Sequence, residues 1–537
     1  MRSNHLLIAM TLSLTTSGLA LASNITEFPD NGSEQLARGG AWVARASDPL
    51  AAFYNPAGLA GQDTRLILNA NLAFKHTCFN RIKATNDTTA DGIAPGGAYP
   101  QACNEGGTFP NPQIAMTIKV NDRVGVGLAL LGPSGVANTS WPEFVDGKAA
   151  PQRYLLLKAN ALLLTPTVAI GVRATDWLRV GASFQWGFAT AQFSSASDAL
   201  NTDGSPPEKN DVKATLLAKS YFIPGFTLGA IASPSTMVDI AGWFKWSAPA
   251  NLTADVATYA NYFRPAVANG GMDNKVVFGY SKEADCAGGT PPGPNGPICG
   301  PDKGSVKLVI PMEAKIGVRI HKPVAGADPN RRDPVSQDVW DAELDFTWAN
   351  NSAFDALQIR FPSNPDGSAI IPVNGTGGKL PGNADQIHAY KDVIGVRLGG
   401  DWNALPDRLT VRGGVFAETD GQDPRYQNID FIGAARFGMA IGGAYRLKLG
   451  KNPEKKSALE ISLGFMHMFV ATQSNNNPNG QGLSALGGIE CNPSTNNVPG
   501  QPLCTDGRTK FRTNWPVNLG TITNALNVLN VGLAYRF

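Results

Sequence analysis

The stretch "LRVGASFQWGF", Leu178 to Phe188, decides the class of fold. Leu178, Val180, Ala182, Phe184, Trp186 and Phe188 fall on one side of a two-residue repeat, and Arg179, Ser183 and Gln185 on the other. A helix would space its apolar residues three and four apart, so a period of two reads as a strand with one greasy and one polar face. The pattern recurs in "VKLVIPMEAKIGVRI". There Val306, Leu308, Ile310, Met312, Ile316, Val318 and Ile320 share one face, and Lys307, Glu313, Lys315 and Arg319 the other.

Segments of this kind number about fourteen, an even count as expected of a transmembrane barrel. They centre near Leu68, Met116, Val126, Val168, Phe184, Leu228, Ile240, Val318, Leu344, Val396, Val411, Ile441, Leu463 and Val531. Short turns fall at Asn121 to Arg123, Ala174 to Trp177, Ser233 to Thr236 and Asn403 to Arg408, whereas every second connection is long and most of these carry Pro, Gly or Cys. Short turns on one side and long loops on the other are the asymmetry of a bacterial outer-membrane barrel. The sequence therefore predicts an all-β chain: an antiparallel transmembrane barrel of about fourteen strands, spanning residues 65–537 with long extracellular loops.

Both ends agree with export. Arg2, the short apolar run Leu6 to Leu14 and the small residues Ala20-Leu21-Ala22 form a signal peptide over residues 1–22. Its apolar run falls short of the ~20 residues that cross a bilayer as a helix. At the other end, "LNVLNVGLAYRF" alternates through Leu529, Val531, Leu533 and Tyr535 to a terminal Phe537. That ending resembles the signal by which the barrel assembly machinery recognises its clients. Charged residues make up only 16% of the chain, below the ~25% of soluble proteins. The formal net charge of +2 points to no nucleic-acid partner. Trp177, Trp186, Trp243, Trp246, Trp340, Trp348 and Trp402 lie near strand ends, where amphipathic rings settle at a membrane interface; Trp243, however, has the parity of the lumen.

Six Cys fall into three close pairs, and loop closure favours Cys78-Cys103, Cys286-Cys299 and Cys491-Cys504 among the possible connectivities. In an oxidising compartment these read as staples on Gly- and Pro-rich loops. Their spacing fits no metal motif, and no cofactor is implied.

A barrel this wide is not filled by its own wall side chains and needs a plug. Residues 23–64, between the signal and the first strand, suit that role. "LARGGAWVARASDPLAAFYNPAGLA", Leu36 to Ala60, resembles the amino-terminal hatch of the FadL family of outer-membrane transporters, with Asn55, Pro56 and Ala57 matching the family's Asn-Pro-Ala motif. Similarity extends through "LTPTVAIGVRATDWLRVGASFQW", "VKLVIPMEAKIGVRI" and "ELDFTWANNSAF". The resemblance implies passive uptake of hydrophobic molecules, with long-chain fatty acids expected and aromatic hydrocarbons as the alternative. It also implies capture at the outer face and sideways release through a kink in the third strand. Gly132, Pro133, Ser134 and Gly135 are the residues there that a continuous ladder would not tolerate.

For ligand contacts the long connections offer Trp141, Phe144, Tyr259, Tyr262 and Phe263, and Arg153, Lys245 and Lys307 are cations of lumen parity that could pair a carboxylate. The same cations could instead balance lumen acids such as Asp341, Glu343, Asp345 and Glu418. Other classes fit less well. His76, His321, His388 and His467 have no nucleophile motif beside them, which argues against an enzyme; the plug argues against a hydrophilic porin; stapled loops alone would suit an adhesin. The expected surroundings are outer-membrane lipid and lipopolysaccharide, with the chain acting as a monomer.

Overall fold

A computed structural model of the chain describes residues 31–87, 91–132, 139–198, 211–260, 262–263, 276–279, 303–361, 372–373, 378–379, 385–449, 457–483, 489–490 and 515–537. The signal segment, Pro133, Ser134, Gly135, and the pairs Cys286-Cys299 and Cys491-Cys504 lie outside the described residues, as does the side chain of Tyr259.

Fourteen strands form the wall. The first six are β1 (Arg65–Arg81), β2 (Phe109–Lys119), β3 (Val124–Leu131), β4 (Lys158–Arg173), β5 (Leu178–Asp198) and β6 (Asp211–Ser235). Three interrupted strands follow: β7 (Val238–Ser247, resuming at Ala250–Ala260), β8 (Lys303–Leu308, resuming at Glu313–Pro323) and β9 (Asp338–Ala349, resuming at Ala356–Arg360). The rest are β10 (Val393–Leu405), β11 (Leu409–Glu418), β12 (Arg436–Lys448), β13 (Ala458–Asn475) and β14 (Gly520–Arg536). Each segment picked out by its alternation is one of these strands.

The two ends of the sheet meet. β14 runs antiparallel to β1 from Arg65 opposite Arg536 to Arg81 opposite Gly520, so the cylinder closes without a free edge. Phe184, Trp186, Leu228, Ile316 and Ile441 stand exposed on the outside, while Arg179, Ser183 and Gln185 are buried within. That division is the two-residue period made physical. At 25 residues, β6 is far longer than the ~10 that cross a bilayer, so β5 and β6 continue above the membrane as an extracellular collar. Residues 194–198 and 211–213 accordingly belong to β5 and β6.

The regular parity fails in one place that matters. In β8 the ladder stops between Leu308 and Glu313, and the phase changes across the break. Val306 is buried inside the ring while Ile316 is exposed outside it, although both belong to one face of an unbroken alternation. Lys307 consequently lies on the side turned away from the lumen, opposite Asn251 and Gln358. Its expected role as a lumen cation is corrected by this break.

Cys78 and Cys103 are joined. Cys78 sits within β1 itself and faces Cys103 on a two-residue strand, so the bond clips the first outer connection to the wall instead of stapling a free loop. His76 Nε2 lies 3.4 Å from Cys78 Sγ, but two sulfurs bonded to each other offer no thiolate to a metal.

Candidate functional site: a cavity in the barrel wall

Residues 31–64 occupy the lower lumen, and the chemistry of that packing sets the floor of the site. The segment makes a short helix, α1 (Ser33–Ala37), and single 3-10 turns at Pro49–Ala52 and Pro56–Leu59. Pro56 takes the first helical position, where its missing N–H costs nothing. Asn55 precedes it, accepting from Ala57 N at 3.3 Å and donating to Val43 O at 2.9 Å. The Asn-Pro-Ala turn thus ties the segment to itself. It then presses on the wall at Gly181 and Gly229, where any Cβ would overlap Pro56 or Asn55.

Charge fixes the opposite side. Arg38 reaches Asp341 and Asp401, both at 2.6 Å, and Arg45 reaches Asp401 at 2.8 Å as well as Asp341. Backbone N–H groups of Trp42 and Ala44 donate to Asp345 and Glu343 at 2.8 and 2.6 Å. The lumen acids singled out in the sequence are therefore engaged by this segment, except Glu418, which pairs with Arg397 and Arg436. Removing one partner of such a buried set typically costs 3–5 kcal/mol. Within the segment, burial opposes ionisation of Glu34, yet Arg45 and Arg412 hold its carboxyl well below the usual range. Asp48 has no such cation pair, and burial, with Glu34 beside it, pushes its carboxyl up to about 7.

The periplasmic mouth is occupied too. Between β8 and β9 the connection folds upward, burying Arg332, Asp333, Pro334 and Val335. Arg332 N donates to Gly61 O at 2.9 Å, its guanidinium to Ala44 O at 2.5 Å and also to Arg45 O, and Asn403 Nδ2 donates to Pro334 O at 2.9 Å. Across the opening, Asp333 meets Arg446 at 2.8 Å and Arg536 at 2.5 Å. Those cations outweigh its burial and hold the Asp333 carboxyl well below the usual range.

Among the described residues the β3–β4 ladder runs to Leu131 opposite Thr165, and Gly132 N–H donates to Pro112 O at 3.1 Å. Thr139 and Ser140 pair with β4 at Ala159 and Lys158. Pro166 in β4, Pro224 in β6, Pro249 at the break in β7 and Pro311 at the break in β8 lie around this level, and none can donate to a neighbour.

Behind this part of the wall lies an apolar cavity of about 160 Å³. Leu131, Gly132, Ala161, Leu163, Ile223, Leu252, Val306, Val309 and Ile310 line it; Asn31 and Phe53 form its floor, and Leu357 and Phe431 lie at its upper end. Leu162 and Thr190 also border it. Both have outward parity. Two of its polar side chains are paired: Gln185 donates to Thr227 at 2.8 Å, and Lys245 meets Glu313 at 2.9 Å.

Of the sequence-named ligand candidates whose side chains are described, Lys245 alone lines this cavity. Trp141, Phe144, Tyr262 and Phe263 do come together, but higher up, in the apolar core of the outer loops, where Phe144 stands 6.2 and 6.1 Å from Tyr262 and Phe263. Arg153 is buried against Asp211 at 2.9 Å and Tyr154 at 2.8 Å. The lining itself was missed because Leu, Ile and Val on a strand read as ordinary wall. The signal that could have found it is the recurrence of Pro in successive strands.

The family model for outer membrane protein transport proteins of the OMPP1/FadL/TodX type matches residues 11–497. The chain belongs to the FadL family. It is an outer-membrane transport channel for hydrophobic substrates. Solved structures agree on the fold. A FadL homologue of Pseudomonas aeruginosa superposes with a TM-score of 0.61 at 17% identity, covering 96% of this chain and 100% of its own. The toluene transporter TbuX of Ralstonia pickettii gives 0.53 at 12%, covering 95% and 99%. TodX, the toluene transporter of Pseudomonas putida, gives 0.51 at 11%, covering 96% and 99%. Among curated proteins no sequence relative is detected.

Proposed function

We propose that this FadL-family channel admits compact, neutral hydrophobic molecules from the outer face and releases them sideways into the bilayer between β3 and β4. The observation that carries the reading is the apolar cavity bordered by Leu162 and Thr190, both of outward parity, above a periplasmic mouth that is filled. Gly132, Pro133, Ser134 and Gly135 would supply the bend there, and residues 31–64 would act as the hatch. Sideways exit has a simple energetic basis. Each methylene moved into water costs ~0.8 kcal/mol, so a route that stays in hydrocarbon avoids the barrier that an aqueous periplasm presents.

Two features favour a neutral cargo over a long-chain carboxylate. Lys245 is committed to Glu313, Arg153 to Asp211, and Lys307 faces away from the lumen. The cavity is also close in size to the ~150 Å³ apolar cavity that accepts benzene in an engineered protein. Toluene is the substrate named for the Ralstonia and Pseudomonas putida relatives, and a single-ring hydrocarbon suits this lining. Cells carrying the wild-type channel should accumulate labelled toluene faster than cells lacking it, and Ala161→Trp, which fills the cavity, should return uptake to background. Protein-dependent uptake of oleate, or full toluene uptake by the variant, would contradict the reading.

A further inference from the structure

The floor of the cavity carries a hydrogen-bond donor that is left unspent among the described residues. Asn530 Nδ2 donates to Asn71 Oδ1, and Asn71 Nδ2 donates in turn to Asn31 Oδ1 at 2.9 Å. Asn111 Nδ2 reaches the same oxygen, also at 2.9 Å. Two N–H donors on one oxygen fix which way the Asn31 amide points, because turning it over would set nitrogen against nitrogen. Asn71, Asn111 and Asn530 are buried in β1, β2 and β14 and take no part in the cavity lining, whereas Asn31, 2% exposed, does.

The Asn31 oxygen is therefore turned to the wall, and its amide nitrogen, the other branch of the same group, is left to the cavity. The Asn31 backbone N–H is taken by Tyr54 Oη at 2.6 Å, and Nδ2 has no acceptor among the described residues. Each amide in the series donates to the next, so the series polarises toward Asn31 and strengthens its terminal N–H. An unmatched buried donor is costly; a cargo with an acceptor recovers that cost, and a plain hydrocarbon does not. Phe53 shares the floor, and the lining around both is mainly aliphatic. We propose that Asn31 Nδ2 selects neutral single-ring compounds bearing one oxygen acceptor, such as aryl ketones, over hydrocarbons of the same shape. This deepens the proposed function and rests on the wall cavity being the ligand site.

Isothermal titration calorimetry of the detergent-solubilised full chain tests it with acetophenone and α-methylstyrene, in which a methylene replaces the carbonyl oxygen. Comparing the ratio of the two affinities between wild type and Asn31→Leu cancels the ketone's greater affinity for water. That ratio should fall on the order of tenfold in the variant. Should Asn31→Leu fail to fold, Asn31→Asp, which keeps an oxygen for Asn71 and Asn111 and lacks the donor, should lower it as well. An unchanged ratio in a folded variant would overturn the role of Asn31 and leave the cavity standing. Ala161→Trp should abolish binding of both compounds; full binding of both by that variant would overturn the cavity as the site, and the inference with it.

Discussion

Asp48 shows how a single residue can couple the lumen segment to its surroundings. Its carboxyl is buried, accepts from Leu50 N at 2.7 Å and from Gln35 at 3.3 Å, and sits near the anionic Glu34. Once seated it holds a proton up to about 7, whereas in an unfolded segment it would ionise near 3.9. Between those values the seated form binds more protons than the free form, so raising the pH weakens seating, with the loss complete above about 7. In planar bilayers, open events should be more frequent at pH 8 than at pH 5. Asp48→Asn, which preserves the hydrogen bonds and removes the charge, should flatten that dependence. Asn55 teaches a different lesson at this scale. Its motif was visible in the sequence, but the need for Gly181 and Gly229 opposite it was not, since those glycines lie on strands far along the chain.

Among the elements, the strands were legible and the breaks in them were not. Alternation locates all fourteen strands because a half-buried wall imposes it residue by residue. It carries no information about where the ladder fails, and extrapolating it across Pro311 placed Lys307 on the wrong face. The same limit hid the cavity, whose lining comes from both sides of several breaks. The long connection between β8 and β9 was also unexpected on a side otherwise closed by short turns. Its hold on the lumen segment is testable. Arg332→Ala removes the bonds to Ala44 O and Arg45 O, while Asp239 keeps Arg319 at 3.1 Å. Hydrogen exchange across residues 44–63 should accelerate by one to two orders of magnitude for each ~1.4–2.8 kcal/mol lost, and barrel melting should stay unchanged. Unaltered protection would mean that the connection does not brace the segment.

For the whole molecule, a closed cylinder leaves the transported substance few ways out. The lower lumen is packed with residues 31–64, the periplasmic mouth is crossed by Arg332 and Asp333, and the continuous ladders of β10 to β14 and β1 seal the far wall. The exit proposed above lies beside Leu162, where the cavity borders the outward-facing side of β4. The most direct test is diffraction at the bromine edge from crystals of the protein soaked with bromobenzene. The account predicts anomalous density in the cavity between Leu131, Ala161 and Leu163, extending toward Leu162. Density confined to the periplasmic mouth between Arg332 and Asp333, with the wall cavity empty, would contradict it.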